Sequence, residues 1–226
     1  MRLVLWDIDH TLIDTRGVGR ELSAAAFEEA TGVVMREQAK IDGITERVIF
    51  RETAKLHGID VDGDDRAFDR FAEALAGQHV TRAADLRERG HALPGAAAAL
   101  DALAAAGVVQ TVVSGNVRRA AEIKLAVFGL DRHIRWEAGA YGEDGEERAD
   151  LVQLALERSG AHAGDAILIG DTPADVAGAH AHSVLAVAVA SGKSSEGELR
   201  ASGADVVLPD LRDVAPLLAA VEGRVG

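Results

Sequence analysis

Two carboxylates, Asp7 and Asp9, stand one residue apart directly after the first apolar run of the chain, residues 3–6. A short apolar run bounded by charge is typical of a buried parallel strand, which is covered on both faces. Ligands bind outside the carboxyl ends of such strands, so this pair lies where catalysis or metal binding is expected. The same residues could instead form an Asp-rich turn in which Asp9 caps a neighbouring helix. The rest of the chain has to decide between these interpretations.

Polar side chains also follow two later apolar runs. Ser114, Gly115 and Asn116 come directly after a β-branched run, and another run leads to Asp171 and Asp175. Parallel strands place all their carboxyl ends at one edge of the sheet, so we expect these groups to converge with the first carboxylate pair. Taken alone, the segment at Ser114 could also be an N-cap turn at the start of a helix. Convergence of three strand ends favours a shared site.

Hydrophobic periodicity predicts the elements that position these groups. Between the first strand and residue 91, amphipathic helices are predicted over residues 21–30, 45–56 and 65–76. Beyond residue 92, one predicted helix ends at residue 106. Three further helices are predicted over residues 117–128, 148–159 and 214–221. The predicted strands of the same part cover residues 108–113, 134–137, 166–169, 184–189 and 205–208.

Strands that alternate with helices predict an α/β fold, with a Rossmann-like parallel sheet core interrupted after its first strand by an inserted helical cap. We expect residues 1–15 and 92–226 to form the core domain and residues 16–91 to form the cap domain. Insertions at such positions commonly serve as lids. Four of the five phenylalanines fall in the cap region and predict a small hydrophobic core there: Phe27, Phe50, Phe68 and Phe71.

Three motifs, each placed after a predicted strand, resemble those of the haloacid dehalogenase superfamily, in particular its phosphoglycolate-phosphatase-type hydrolases. In chain order they are Asp-x-Asp-x-Thr at Asp7, Asp9 and Thr11, a strand-terminal serine at Ser114, and Gly-Asp-x-x-x-Asp at Gly170, Asp171 and Asp175. The resemblance covers the whole chain, including the position of the helical cap. It implies a HAD-like fold and a hydrolase that acts on phosphoric monoester bonds.

The resemblance also implies how such a hydrolase works. Asp7 would be the nucleophile that forms a phosphoaspartyl intermediate, and Asp9 would protonate the leaving alcohol and then activate water. The implied cofactor is Mg²⁺, held by Asp7, Asp171 and Asp175 together with the backbone carbonyl of Asp9. A divalent cation offsets the charges of carboxylate and phosphate, which this attack requires. An acid at position 9 favours phosphate chemistry over carbon–halogen cleavage.

The expected substrate contacts divide between the two ends of a small phosphate ester. The resemblance implies a set of phosphate-binding groups: Ser114, the amides of Gly115 and Asn116, and Thr11. Specificity is expected in the cap segment 42–47, which contains Thr45 and Arg47. Arg47 is a candidate partner for a substrate carboxylate, as in a phosphoglycolate-like ester, although a solvated arginine at a helix start would look the same.

The third motif of the superfamily, a lysine shortly before Asp171, has no direct counterpart, because no lysine lies between Lys124 and Lys193. Arg148 stands 23 residues before Asp171, at the start of a predicted helix, and is the preferred replacement cation. Lys124 is the alternative. Its position two turns into a helix predicts a distance of about 10 Å from the strand end.

The overall composition limits the remaining function classes. The chain of 226 residues carries a formal net charge of −13, which argues against nucleic acid or an anionic membrane as a partner. It has no cysteine, which excludes disulfides, thiolate metal sites and a thiol nucleophile. Neither a signal peptide nor a membrane-spanning stretch is recognisable, so we expect a cytoplasmic protein, as a monomer or homodimer.

Two other functions fit the same motifs. A phosphomutase similar to β-phosphoglucomutase would share the chemistry of Asp7 and Asp9, but it has to keep water out while its intermediate turns round. A non-catalytic binding module could retain the fold without any turnover. The preferred hypothesis is a Mg²⁺-dependent phosphatase that acts on a small, phosphoglycolate-like phosphomonoester.

Overall fold

Five parallel strands form the centre of the protein, in a computed structural model that describes residues 2–40 and 43–223. These strands are β1 (Leu3–Trp6), β4 (Val109–Val112), β5 (Ala166–Gly170), β6 (Leu185–Val189) and β7 (Val206–Leu208). A separate antiparallel pair consists of β2 (Ile13–Asp14) and β3 (His91–Ala92). The order in the parallel sheet is β4-β1-β5-β6-β7, so β1 lies between β4 and β5.

The described residues form ten α-helices. Four lie between β2 and β3: α1 (Val18–Thr31), α2 (Glu46–Leu56), α3 (Asp65–Thr81) and α4 (Ala83–Arg89). Six follow β3: α5 (Ala96–Ala105), α6 (Arg118–Val127), α7 (Arg148–Ser159), α8 (Pro173–His180), α9 (Glu196–Ala201) and α10 (Ala215–Val221). Within this part of the chain, none of the helices has the length and apolar character needed to cross a membrane.

The register of the sheet brings three strand ends to one edge. Trp6, the last residue of β1, pairs with Val112 of β4 on one side and with Ile169 of β5 on the other. Residues of β1 alternate between two hydrophobic clusters, so both faces of the strand are buried and its apolar run is continuous. A further hydrogen bond, from Asp7 N to Ile169 O at 2.9 Å, fixes Asp7 just beyond the strand.

The four helices α1–α4, called the helical segment below, share one hydrophobic cluster built around aromatic rings. Phe50 stacks on Phe71 with ring centroids 4.7 Å apart, and the rings of Phe27 and Phe68 lie 6.0 and 6.2 Å from that of Phe50. The predicted phenylalanine core is confirmed. Ala120 of α6 belongs to the same cluster, so the helical segment shares its core with a helix that flanks the sheet.

The predicted strand over residues 134–137 is wrong. There the chain forms a turn and the 3₁₀ helix Trp136–Ala138, and its pairing with β4 and the residue after it is reduced to isolated bridges from Ile134 to Gln110 and from Ala140 to Val113. The two bridges are six residues apart on one side and three on the other. The chain therefore cannot stay in register with β4, and the extra residues coil into a helical turn.

Short elements escape the hydrophobic pattern. The sequence predicts none of α4, α8 and α9, nor the pair β2 and β3, because in these elements of two to eight residues the apolar residues are too few to show a period. The chain passes from the sheet into the helical segment at β2 and returns at β3, and these two strands pair with each other. They lie close to the boundaries predicted at residues 15 and 92. The division into core and cap domains itself stays a prediction.

Replacing Phe71 with alanine should lower the free energy of unfolding by about 3–5 kcal/mol, because it removes a buried ring and leaves a cavity that its neighbours cannot fill. Leu56→Ala is the matched control, since Leu56 lies on the same segment but is 53% exposed, and it should change stability by about 0.5 kcal/mol or less. Urea unfolding followed by circular dichroism measures both values. Equal losses in the two variants would contradict an aromatic core in the helical segment.

Candidate active site

Polar residues from three strand ends line one cavity. Asp7 follows β1, Ser114 and Asn116 follow β4, and Asp171 follows β5. The side-chain amide of Asn116 donates one hydrogen bond to Ser114 Oγ and another to Asp9 Oδ2, both at 2.7 Å. The groups that the sequence places at separate strand ends therefore meet in space.

Three buried carboxylates lie together at this edge of the sheet. One oxygen from each of Asp7, Asp171 and Asp175 lies within 4.8 Å of the others. Burial, reinforced by repulsion from Asp175, raises the pKa of Asp7 to about 7. Burial, reinforced by repulsion from Asp7, raises the pKa of Asp171 to about 9. Hard oxygen donors in such a mutually repelling set fit a divalent cation of the Mg²⁺ type, which would relieve the repulsion.

Arg148, the first residue of α7, reaches into this acidic cluster. Its Nε lies 3.1 Å from Asp175 Oδ1 and its Nη2 lies 3.4 Å from Asp7 Oδ1, while Nη1 donates to the carbonyl of Val113 at 2.9 Å. The other oxygen of Asp175 accepts hydrogen bonds from the backbone N–H and the hydroxyl of Thr172, which completes a capping box at the start of α8. Arg148 and Asp175 are thus both held by helix starts.

Lys124 also reaches the site. Its Nζ lies 2.9 and 2.7 Å from the two carboxylate oxygens of Asp9 and 2.6 Å from Asn116 Oδ1. The expected separation of about 10 Å is wrong because it counts only the rise along the helix axis. Side chains on a helix lean toward its N-terminus, so Lys124 extends back along α6 toward Asn116. Both candidate cations therefore lie in the cavity, each beside a different carboxylate of the first motif.

Asp7 and Asp9 have opposite electrostatic environments. Burial raises the pKa of Asp9, but attraction by Lys124 and hydrogen bonds from Lys124 and Asn116 outweigh it and leave that pKa below its usual value. The pKa of Asp7 is instead raised to about 7 by burial and by its acidic neighbours. Neighbouring carboxylates with separated pKa values can take different roles in acid and base chemistry.

Ser114, Gly115 and Asn116 line the cavity as expected, whereas Thr11 does not. Thr11 is fully buried behind Asp7 and donates its hydroxyl hydrogen bond to Asp7 Oδ2 at 3.3 Å. The expected contact of Thr11 with phosphate is therefore corrected to a contact that orients the Asp7 carboxylate.

The predicted specificity residues of segment 42–47 also lie outside the cavity lining. Arg47 Nη1 forms an ion pair with Asp65 at 2.7 Å, and its guanidinium carbon lies 4.3 Å above the ring of Phe68. Thr45 is buried and donates to a backbone carbonyl at 3.4 Å. Residue 42 lies outside the described residues. Arg47 Nη2 also donates to the backbone carbonyl of Glu143 at 3.3 Å, so its guanidinium bridges the helical segment and the loop before α7, and its role in specificity stays a prediction.

Two buried ionisable groups of the helical segment also line the cavity, namely Glu46, which belongs to the predicted specificity segment 42–47 but is not singled out within it, and His79, which the sequence does not indicate. Burial raises the pKa of Glu46 to about 7 and lowers the pKa of His79 to about 4. Glu46 begins α2, where an acid is common for reasons of helix stability, so its type alone carries no signal of function. His79 follows Leu75 by one helical turn and is read as part of the same buried face.

Close backbone approach shapes the cavity at two glycines. A Cβ atom on Gly192 would lie 1.8 Å from Asp171 Oδ2, so only glycine lets the loop after β6 cross this carboxylate. A Cβ atom on Gly115 would lie 2.4 Å from the carbonyl oxygen of Ile44, at the point where the helical segment meets the end of β4. The same contact is fixed by a hydrogen bond from Glu46 N to Gly115 O at 2.8 Å.

A sequence model of the haloacid dehalogenase-like hydrolases matches residues 4–189, which include the ends of β1, β4 and β5. The chain belongs to this family. Among curated relatives of this haloacid dehalogenase-like hydrolase, phosphoglycolate phosphatase 1 from Pseudomonas aeruginosa is 25% identical over 95% of the chain and 79% of its own length.

Solved structures show the same fold. A hydrolase from Pseudomonas syringae superposes with a TM-score of 0.70 at 23% identity, over 98% of this chain and 99% of that one. β-Phosphoglucomutase from Clostridium difficile gives a TM-score of 0.71 at 13% identity, over 99% and 98% of the two chains. The predicted HAD-like α/β fold is confirmed. At such identities the structural likeness does not distinguish a phosphatase from a mutase.

Mg²⁺ should stabilise the protein through the acidic cluster. At about 100 times its Kd, a ligand of the native state adds about 2.7 kcal/mol, or about 5–10 °C in Tm for a chain of this size. In Asp171→Asn the shift should vanish because a carboxylate ligand is lost, while the Tm without metal should change little near neutral pH, where the pKa of about 9 keeps Asp171 protonated and neutral. Differential scanning fluorimetry with and without Mg²⁺ measures both effects.

The control for this measurement is Asp101→Asn, which changes an exposed aspartate on α5 and should keep the full Mg²⁺ shift. A shift that survives in Asp171→Asn would show that Mg²⁺ binds elsewhere.

Proposed function

We propose that this protein is a Mg²⁺-dependent phosphatase that hydrolyses a small-metabolite phosphomonoester through a phosphoaspartyl intermediate on Asp7. The observation that carries this proposal is the separation of the two carboxylates of the first motif. Asp7 lies in the acidic cluster beside Arg148, and Asp9 forms a separate ion pair with Lys124. Similarity to a phosphoglycolate phosphatase supports the same reaction class.

In the first half-reaction, an Asp7 oxygen attacks phosphorus and the ester oxygen leaves. Arg148 would offset the charge of Asp7 and of the phosphoryl group, with Nη2 already 3.4 Å from the carboxylate. Ser114 and the amides after it would hold the phosphoryl oxygens. Asp7, Asp171 and Asp175 would hold a divalent cation, which would supply positive charge to offset that of the carboxylate and the phosphate.

The proton transfers are assigned to Asp9. It would donate a proton to the leaving alcohol and, as the carboxylate, take a proton from the water that attacks the phosphoaspartyl group. Lys124 stabilises the carboxylate form from 2.7 Å and lowers the pKa of Asp9, which favours the second step. A phosphomutase would use the same carboxylate to take the proton of its incoming hydroxyl group, so this ion pair would serve hydrolysis and phosphomutase activity alike.

Release of inorganic phosphate from p-nitrophenyl phosphate tests the proposed nucleophile. With Mg²⁺ present, Asp7→Asn should lower kcat by at least about 10³-fold, because the amide cannot form the intermediate. Asp14→Asn is the matched control, since Asp14 lies on β2 outside the cavity lining and should retain activity. Equal turnover in Asp7→Asn and the wild-type protein would rule out this assignment.

Phosphate release also separates the phosphatase from the two alternatives. A binding module would release no phosphate from any ester. A phosphomutase, supplied with a sugar phosphate, would isomerise it without net release of phosphate.

The two cations should have different kinetic signatures. Arg148→Ala should lower kcat/KM by about 10²- to 10³-fold, and Arg148→Lys should recover part of the loss because it restores a positive charge. Lys124→Met should move the acidic limb of the pH profile to higher pH, because the pKa of Asp9 rises when its cationic partner is lost. If Arg148→Ala left turnover unchanged while Lys124→Ala abolished it, Lys124 would replace Arg148 as the third-motif cation.

A further inference from the structure

Two polar atoms of the helical segment face the cavity and have no hydrogen-bond partner. Glu46 Oε2 and His79 Nε2 are both inaccessible to solvent, and both residues line the same cavity as Asp7 and Ser114. His79 is only 2% exposed as a whole residue. Buried polar groups are rarely left unpaired in a native protein, and those that are call for an explanation, commonly a water or a ligand.

The hydrogen-bonding role of each atom follows from its surroundings. His79 Nδ1 lies 2.8 Å from the carbonyl oxygen of Leu75, which can only accept, so Nδ1 carries the hydrogen. In a neutral ring Nε2 is then an acceptor, and burial keeps the ring neutral because it lowers the pKa of His79 to about 4. Glu46, whose pKa burial raises to about 7, offers only acceptors above that pH, where it is ionised. The part of the cavity lined by Glu46 and His79, called the acceptor wall below, can therefore be satisfied by a ligand group that donates a hydrogen bond.

The cavity offers a poor site for a second anion at this wall. Among its described cationic side chains, the two buried ones are already paired, Arg148 with the acidic cluster and Lys124 with Asp9. Arg20 also lines the cavity but is exposed. A substrate carboxylate placed against Glu46 and His79 would meet two acceptors and no donor, and like charge from Glu46 would repel it.

We infer that Glu46 and His79 bind the leaving group of the substrate, and that this group carries an O–H or N–H donor, as in a hydroxylated or amine-bearing alcohol phosphate. The inference rests on the proposed phosphatase function. It departs from the phosphoglycolate analogy, because the leaving group of phosphoglycolate ends in a carboxylate.

The backbone of Glu46 lies next to the phosphate end of the cavity. Its backbone N–H donates to the carbonyl of Gly115, which belongs to the loop assigned to the phosphoryl group, at 2.8 Å. The acceptor wall thus begins next to the phosphate end of the cavity. A donor carried one or two carbons from the ester oxygen would suit this arrangement.

A series of two-carbon esters that differ only in the terminal group tests the inference. The series consists of ethyl phosphate, 2-hydroxyethyl phosphate, 2-aminoethyl phosphate and 2-phosphoglycolate, scored by kcat/KM with Mg²⁺. The hydroxyl or amine ester should exceed both ethyl phosphate and phosphoglycolate by at least about tenfold. Phosphoglycolate as the best substrate would overturn the inference.

Variants connect any preference to the two residues. In the double variant Glu46→Gln, His79→Leu, the preference for the donor ester over ethyl phosphate should fall to within about threefold of unity. Glu52→Gln, the same exchange at a half-buried position of α2 outside the cavity lining, should leave the preference intact. A preference that persists in the double variant would overturn the assignment to Glu46 and His79.

The single variant Glu46→Gln identifies the donor. Loss of the charge should weaken 2-aminoethyl phosphate about tenfold more than 2-hydroxyethyl phosphate if the natural donor is an ammonium group, and both equally if it is a hydroxyl.

A binding measurement separates this inference from the proposed function. Titration calorimetry of each ester with Asp7→Asn should give the same order of affinities without any turnover. Turnover without a donor preference would reject the inference alone. Absence of phosphate release from every ester would reject the phosphatase function, and the calorimetric order would still decide the inference.

Discussion

Keeping charge buried at one edge of a parallel sheet is the constraint on which the rest of the structure depends. Four carboxylates and two cations meet there: Asp7, Asp9, Asp171 and Asp175 with Arg148 and Lys124. Buried charges are tolerated only where they are paired. When all four carboxylates are ionised, the two cations leave two negative charges, which one bound divalent cation would neutralise. Arg148 and Asp175 are held by helix starts, and Lys124 reaches the cluster from the last turn of α6.

The sheet and its functional edge could be predicted from the sequence because all parallel strands end at the same edge, so the residue after each strand can be placed there. The apolar runs that end at Asp7, Ser114 and Asp171 are buried on both faces and end at one edge, so their order along the chain does not matter. The cluster of carboxylates follows directly. In contrast, residues 134–137 have a strand-like composition but no continuous partner on β4, and no local pattern can reveal the missing register.

Most of the contacts that could not be predicted from the sequence are made by long side chains. Lys124 reaches back along its helix to Asp9, and Arg47 turns into the helical segment to meet Asp65, although both are placed correctly along the chain. Their contacts depend on packing between elements that are distant in sequence. Glu46 and His79 were missed for a different reason, since a helix-start acid and an inward-facing histidine are ordinary features of stable helices.

The hydrophobic cluster that the helical segment shares with α6 has a mechanical consequence. The helix contributes Ala120 to the aromatic core on one side and Lys124, one turn later, to Asp9 on the other. A rigid rotation that opened the cavity would have to pull the aromatic core away from α6 or carry that helix along. In the second case the ion pair would lengthen with the opening. Packing among phenylalanines far from the phosphate could thus be transmitted to the acid–base group as a change in its proton affinity.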